Sequence, residues 1–154
     1  MSNESNYIVL FTLEEERYAL HLSAVERVVR AVEITLLPKA PEIVLGVVNV
    51  HGRIVPVLNI RKRFRLPERE LKLSDQIVIA RTSMRTVALV VDAVGGVTEL
   101  SGKEIVLPEE IVPQMQYVEG VVKLEDGLVL IHDLDRFLSL NEEITLDVAM
   151  NADG

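Results

Sequence analysis

The chain has 154 residues, 16 Lys and Arg against 24 Asp and Glu for a net charge of −8, and no cysteine. That charge repels a phosphate backbone and opposes nucleic-acid binding, while the absence of thiols excludes disulfides and thiolate metal sites. Apolar residues make up 49%, mostly Val, Leu and Ile with few aromatics, a β-branched composition that favours strands.

In chain order, MSNESN is polar and reads as a flexible tail over 1–6, without the basic start and apolar core of a secretory signal. A strand over 7–13, a charged turn at Glu14 to Arg17 and a second strand from Tyr18 predict a hairpin, with Glu14, Glu15 and Glu16 in water at its tip. After the proline-punctuated LLPKAPEIVLG, the run VVNVHGRIVPVLNI predicts another hairpin turning at His51-Gly52-Arg53. IRKRFRL (60–66) reads as a short exposed helix with solvated cations and with Phe64 and Leu66 inward.

Farther along, Gly95-Gly96 reads as a turn, and Glu109-Glu110 as a loop or helix start after Pro108. DLDRFLSL (133–140) predicts a short helix with Leu134, Phe137 and Leu138 on one face, and the polar close MNADG predicts a frayed end. No apolar run approaches the roughly 18 residues of a membrane helix, so the expected location is the cytoplasm.

The chain also resembles itself. Sliding it by 69 positions sets YIVLFTL (7–13) on QIVIART (76–82) and YALHLSAVERVV (18–29) on VALVVDAVGGVT (87–98). Leu37-Pro38 then faces Leu107-Pro108, and GVVNVHGRIVPVLNI (46–60) faces GVVKLEDGLVLIHDL (120–134) at a shift of 74. Two colinear matches with one small shift indicate two copies of one unit. About five short strands per copy fit a small barrel that removes exposed edges. The expected fold is mostly β: two tandem five-stranded barrels packed together, over 7–70 and 71–140, with short helices including one near the C-terminus and a tail over 141–154.

Candidate chemistry is sparse. His21 and His132 each alternate with apolar neighbours and read as surface or satisfied histidines. No metal pair, nucleophile elbow, phosphate loop or dinucleotide turn is present, so no catalytic residue, metal or cofactor is expected. An enzyme would need polar groups converging around His51, Asp92 and Asp133. Apolar side chains between Tyr18 and Gly52 exceed what one small barrel needs, which points to a partner or to cover by the second copy.

An ordered set of residues resembles the CheW-like family of chemotaxis coupling proteins over roughly 7–140. The set runs from Phe11 and Leu13 through Tyr18-Ala19-Leu20, Val25, Val28, Pro38 and Pro41 to Gly46-Val47-Val48-Asn49, Gly52, Pro56-Val57 and Arg61. It continues with Val90-Val91-Asp92, Val94 and Gly120. The resemblance implies a pair of SH3-like barrels forming a single CheW-like domain. It also implies a non-enzymatic adaptor that binds the regulatory domain of a CheA-type histidine kinase and the cytoplasmic tip of a chemoreceptor. Carried over, it assigns Val25, Arg27, Gly46, Val47, Asn49, His51, Gly52 and Arg61 to the partner surface. Two of these depart from the family: Arg27 stands where a Glu is common, and His51 where an Arg precedes the Gly. If close, an attractive pair has become neutral or repulsive, which suggests a divergent paralogue paired to a particular kinase or receptor.

Overall fold

A computed structural model describes residues 6–103, 105–106 and 117–151. Residues 1–5 of the expected N-terminal tail, Leu107-Pro108 and Glu109-Glu110 lie outside the described residues. The first copy of the repeat forms β1 (Tyr7–Leu13), β2 (Glu16–His21), β3 (Val25–Arg30), β4 (Val44–Val50), β5 (Arg53–Leu58) and helix α1 (Ile60–Arg63). The second forms β6 (Gln76–Arg81), β7 (Thr86–Val91), β8 (Ala93–Glu99), β9 (Ile105–Val106), β10 (Val118–Leu124) and β11 (Gly127–His132), then a 3-10 turn at Leu134–Arg136 and helix α2 (Leu140–Asn151).

The strands build two sheets, ordered β8-β1-β2-β11-β10-β9 and β3-β6-β7-β5-β4. Replacing each strand by its repeat partner turns β3-β6-β7-β5-β4 into β8-β1-β2-β11-β10, so the sequence repeat is a structural one. The irregularities repeat too. Gly46 and Gly120 sit at matching register breaks in β4 and β10, and Glu26 and Gly95 at matching breaks in β3 and β8. Gly95-Gly96 therefore lies inside a strand instead of making a turn, because the bulge absorbs the extra residue.

The sheets do not follow the boundary at residue 70. Each combines the first hairpin of one copy with the last three matched strands of the other: β1 and β2 join β8, β10 and β11, while β6 and β7 join β3, β4 and β5. The chain changes sheet within Leu22–Ala24 and again at Asp92 alone. Connections so short cannot return a hairpin to its own copy's sheet. A pair of curled, packed sheets is present, but the copies share strands instead of forming one unit each.

Strand faces explain the apolar composition. In β6, Ile77 and Ile79 enter a cluster made wholly from the second sheet, while Val78 and Ala80 enter a core to which both sheets contribute. In the first sheet Ala19 faces a cluster with Val122, Val129 and Ile131, whereas Tyr18 and Leu20 face the shared core. With both faces covered, such strands are apolar throughout. Apolar side chains of the first copy remain outside nonetheless, among them Val28, Val32, Leu45 and Ile54.

The C-terminal segment expected as a tail is largely helix. Ser139 Oγ accepts from Glu142 N at 3.1 Å and Glu142 Oε1 accepts from Ser139 N at 2.8 Å, a reciprocal capping box that starts α2. Leu146 and Ala149 are buried, and Glu143 and Asp147 pair with Arg85 at the β6–β7 turn. The predicted helix over 133–140 is reduced to one 3-10 turn, with Leu134, Phe137 and Leu138 buried as expected.

Because β6 and β7 separate β3 from β5, a fragment of residues 1–72 lacks the centre of its sheet. Neither that fragment nor residues 73–154 alone will give a cooperative urea transition, and mixing the two will restore it, followed by near-ultraviolet circular dichroism. Cooperative unfolding of the first fragment by itself contradicts the shared-strand fold.

Candidate functional site

The residues assigned to the partner surface cluster on the second sheet, apart from Arg61. Val25 and Arg27 lie on edge strand β3; Gly46, Val47 and Asn49 lie on the other edge strand, β4. His51 and Gly52 form the β4–β5 turn with φ of +51° and +87°, a left-handed pair that Gly adopts without strain. Asn49 Oδ1 accepts from Gly52 N at 2.8 Å and fixes this turn. Gly46 has φ +155°, and a Cβ there would stand 2.3 Å from the Thr35 carbonyl oxygen. The backbone pairing of Thr35 with Val47, at 2.9 and 2.8 Å, requires that approach.

Sheet curl brings the starts of β3, β5 and β7 to one end of the molecule. Glu26, displaced by its bulge, accepts from Arg53 at 3.3 Å and from Thr86 Oγ1 at 3.4 Å. Arg27 and His51 are both exposed and make no side-chain hydrogen bond or ion pair among the described residues. An acid–base pair does join these strands, but through the neighbours Glu26 and Arg53, leaving Arg27 and His51 facing solvent.

Arg61 is not on the surface. It is 7% exposed, and its guanidinium donates to Glu14, to Asp92 and, at 3.0 Å, to the Pro67 carbonyl. Arg69 extends the network to Asp75 at 2.7 Å and Asp92 at 2.6 Å, and Glu14 N donates to Asp92 at 2.9 Å. Burial favours a neutral Asp92, yet the Glu14 amide and Arg61 outweigh it and hold the carboxyl below its usual range. Glu14, expected in water, is therefore half of a structural joint. Two other cations of the 60–66 run are partnered as well, Lys62 with Glu42 at 2.6 Å and Arg63 with Glu142 at 2.7 Å, while Arg65 is exposed as expected. The run read as solvated because its acidic partners lie far away in sequence.

The histidines have separate surroundings. His21 pairs with Glu119 across β2 and β10. His132 is 4% exposed, stacked on Phe64 with ring centroids 4.3 Å apart, and its Nδ1 lies 3.2 Å from the Tyr117 carbonyl oxygen. Burial lowers its pKa to about 4, against the smaller raising effect of that carbonyl. His51, Asp92 and Asp133 do not form one site: His51 makes a turn, Asp92 sits in the arginine network, and Asp133 caps the 3-10 turn through Asp135 N at 3.1 Å. Among the described residues no three His, Asp or Glu side chains are grouped to hold a metal.

Comparison with known proteins agrees over nearly the whole chain. The model of the CheW-like domain matches residues 7–142. The chemotaxis protein CheW of Thermotoga maritima is 31% identical over 139 residues, covering 90% of this chain and 89% of that protein. The Treponema pallidum chemotaxis protein CheW is 26% identical over 148 residues, covering 92% and 87%. Among solved structures, the scaffolding protein TtCheW from Thermoanaerobacter tengcongensis superimposes with a TM-score of 0.80 at 32% identity, over 90% of this chain and 95% of that one.

Two outcomes follow from the geometry. Gly46→Ala will destabilise the fold by at least about 2 kcal/mol, whereas Gly52→Ala, whose Cβ meets nothing within 4 Å, will cost about 1 kcal/mol from backbone conformation alone, both read from urea midpoints. His132 takes up its proton far more readily unfolded, near 6.5, than folded, near 4, so its contribution is complete above pH 6.5 and is lost as pH falls towards 4. Between pH 7 and 5 this removes about 2 kcal/mol. His132→Phe will lose that much less stability over the same interval; an unchanged pH dependence refutes the assignment.

Proposed function

Because the chain belongs to the CheW-like domain family, we propose that it is a non-enzymatic scaffold coupling chemoreceptors to a CheA-type histidine kinase in chemotaxis-like signal transduction. The observation that carries this reading is the match of the family model to residues 7–142. The geometry is consistent with it: His51, Asp92 and Asp133, the nucleus of an enzymatic alternative, have separate structural duties. No helix among the described residues is long and apolar enough to cross a membrane. The place of action in this reading is the cytoplasm, at the receptor tip.

The partner surface in this proposal is the end of the second sheet. Arg27 supplies charge there and His51 an exposed imidazole, Gly46, Asn49 and Gly52 shape the backbone, and Val25 and Val47 border exposed apolar residues such as Val28, Leu45 and Ile54. Exposed apolar area beside the cation of Arg27 is a surface that a partner with acidic groups around an apolar patch completes. Arg61 acts behind this surface, fixing the loop after α1. A scaffold of this kind changes kinase activity only as far as its contacts differ between the kinase's on and off states. Small interfaces suffice in an array, where effective concentration multiplies weak contacts.

The test is a pulldown of the purified chain against a panel of kinase regulatory domains and receptor tips. Binding to one kinase and receptor pair above the others is expected, with Arg27→Glu weakening the preferred kinase by about tenfold and leaving stability within about 0.5 kcal/mol. Failure to bind any member rejects the adaptor reading. Equal binding across the panel rejects specialisation, and an unaffected Arg27→Glu variant removes this surface.

A further inference from the structure

The repeat makes the chain its own control. Residues 74 positions apart occupy matching places around the ends of β5 and β11, and the copies can be compared side chain by side chain. In the first copy Asn59, Ile60 and Arg61 line a cavity of about 240 Å³ together with Leu45 on β4 and Val90 on β7. The chain turns back over this cavity after α1. Glu68 and Arg69 line it, Asn59 Nδ2 donates to Glu68 at 2.7 Å, and Arg69 reaches Asp75 and Asp92. The first copy thus covers its own cleft with residues 68–71.

The matching place in the second copy is a cleft of about 290 Å³ lined by Asp133, Leu134 and Asp135, with Glu119 on β10 and His21 on β2. These five stand where Asn59, Ile60, Arg61, Leu45 and Val90 stand in the first copy. Here the chain does not return. Phe137 and Leu138 enter the core, α2 starts at Leu140, and no described residue after Asp135 lines the cleft. Among the described residues, the cover present in one copy is missing from the other.

The replacements also reverse the chemistry. Asn59, which donates to Glu68, is replaced by Asp133, which when ionised only accepts. Arg61, a cation, is replaced by Asp135, and apolar Leu45 by Glu119. A segment seated here has to bring donors and positive charge where residues 68–71 bring Glu68 and Glu70. His132 lines the same cleft, is 4% exposed, and its Nε2 has no hydrogen-bond partner among the described residues.

We propose that this second-copy cleft binds an extended cationic segment of a partner protein, in the place that residues 68–71 take in the first copy. The groups already facing it leave room for added charge. Arg81 is its one lining guanidinium, against the carboxylates of Glu119, Asp133 and Asp135. Glu119 pairs with His21 and Asp135 accepts from Ser83 N at 2.6 Å, each through one oxygen of its carboxylate, while Asp133 uses both, one on Asp135 N at 3.1 Å and one on Arg136 at 3.3 Å. The cleft lies where β2 and β10 of the first sheet meet Arg81 of the second, beside the start of β3, and neither Arg27 nor His51 lines it; its assignment does not depend on which kinase or receptor the chain serves.

The probe is an octapeptide copy of residues 66–73 carrying Glu68→Lys and Glu70→Lys, titrated into the ¹⁵N-labelled full chain and followed by amide shifts. The unaltered copy serves as control. Saturable shifts at His21, Glu119 and 133–135 are expected, with affinity about tenfold above that of the unaltered copy, as charge-assisted bonds require. Asp135→Asn, whose amide oxygen still accepts from Ser83, and Glu119→Gln will each weaken binding several-fold with unchanged melting temperature. Equal affinity for both copies, shifts confined elsewhere, no saturable binding, or full affinity in both variants overturns the proposal.

Discussion

At Asp92 the chain passes from one sheet to the other within a single residue, and the rest of the architecture depends on holding that crossing in place. Its carboxylate receives Arg61, Arg69 and the Glu14 amide. These belong to the end of β5 and α1, to the segment before β6, and to the β1–β2 turn, so one anion ties together three parts of the chain. A buried charge is costly unless paired and hydrogen-bonded. Arg61, with Glu14, Asp92 and the Pro67 carbonyl as acceptors, meets that condition.

Sharing strands has a consequence for function. Because each sheet contains a hairpin from the other copy, neither can shift without disturbing the core to which both contribute, and the outer surfaces of the two sheets keep fixed relative positions. A scaffold needs that property, since it transmits a bias only if partners on different faces are held in register. Rigid packing therefore serves the proposed coupling role more directly than any single polar side chain does.

The two copies have diverged where they meet their surroundings and stayed alike where they meet each other. Strand order, the bulges at Glu26 and Gly95 and the register breaks at Gly46 and Gly120 are common to both. The clefts at the ends of β5 and β11 differ in charge and in cover. Backbone geometry is constrained by sheet closure and by the shared core, whereas groups lining an open cleft answer only to what occupies it.

The family resemblance, the repeat, the hairpins and the strand-rich class were all legible in the amino-acid order, because they rest on local periodicity, turn chemistry and side-chain volume. The left-handed turn at His51-Gly52 and the inward face of Leu134, Phe137 and Leu138 could be read the same way. Helix α2 was readable in principle from Ser139 and Glu142, but its inner face has few apolar residues and the polar close of the chain masked it. The hairpin exchange, the burial of Arg61 and the Glu26–Arg53 pair were decided by tertiary structure alone. Each joins residues at least 27 positions apart, and a charged side chain looks solvated in sequence until the fold brings its distant partner within hydrogen-bonding reach.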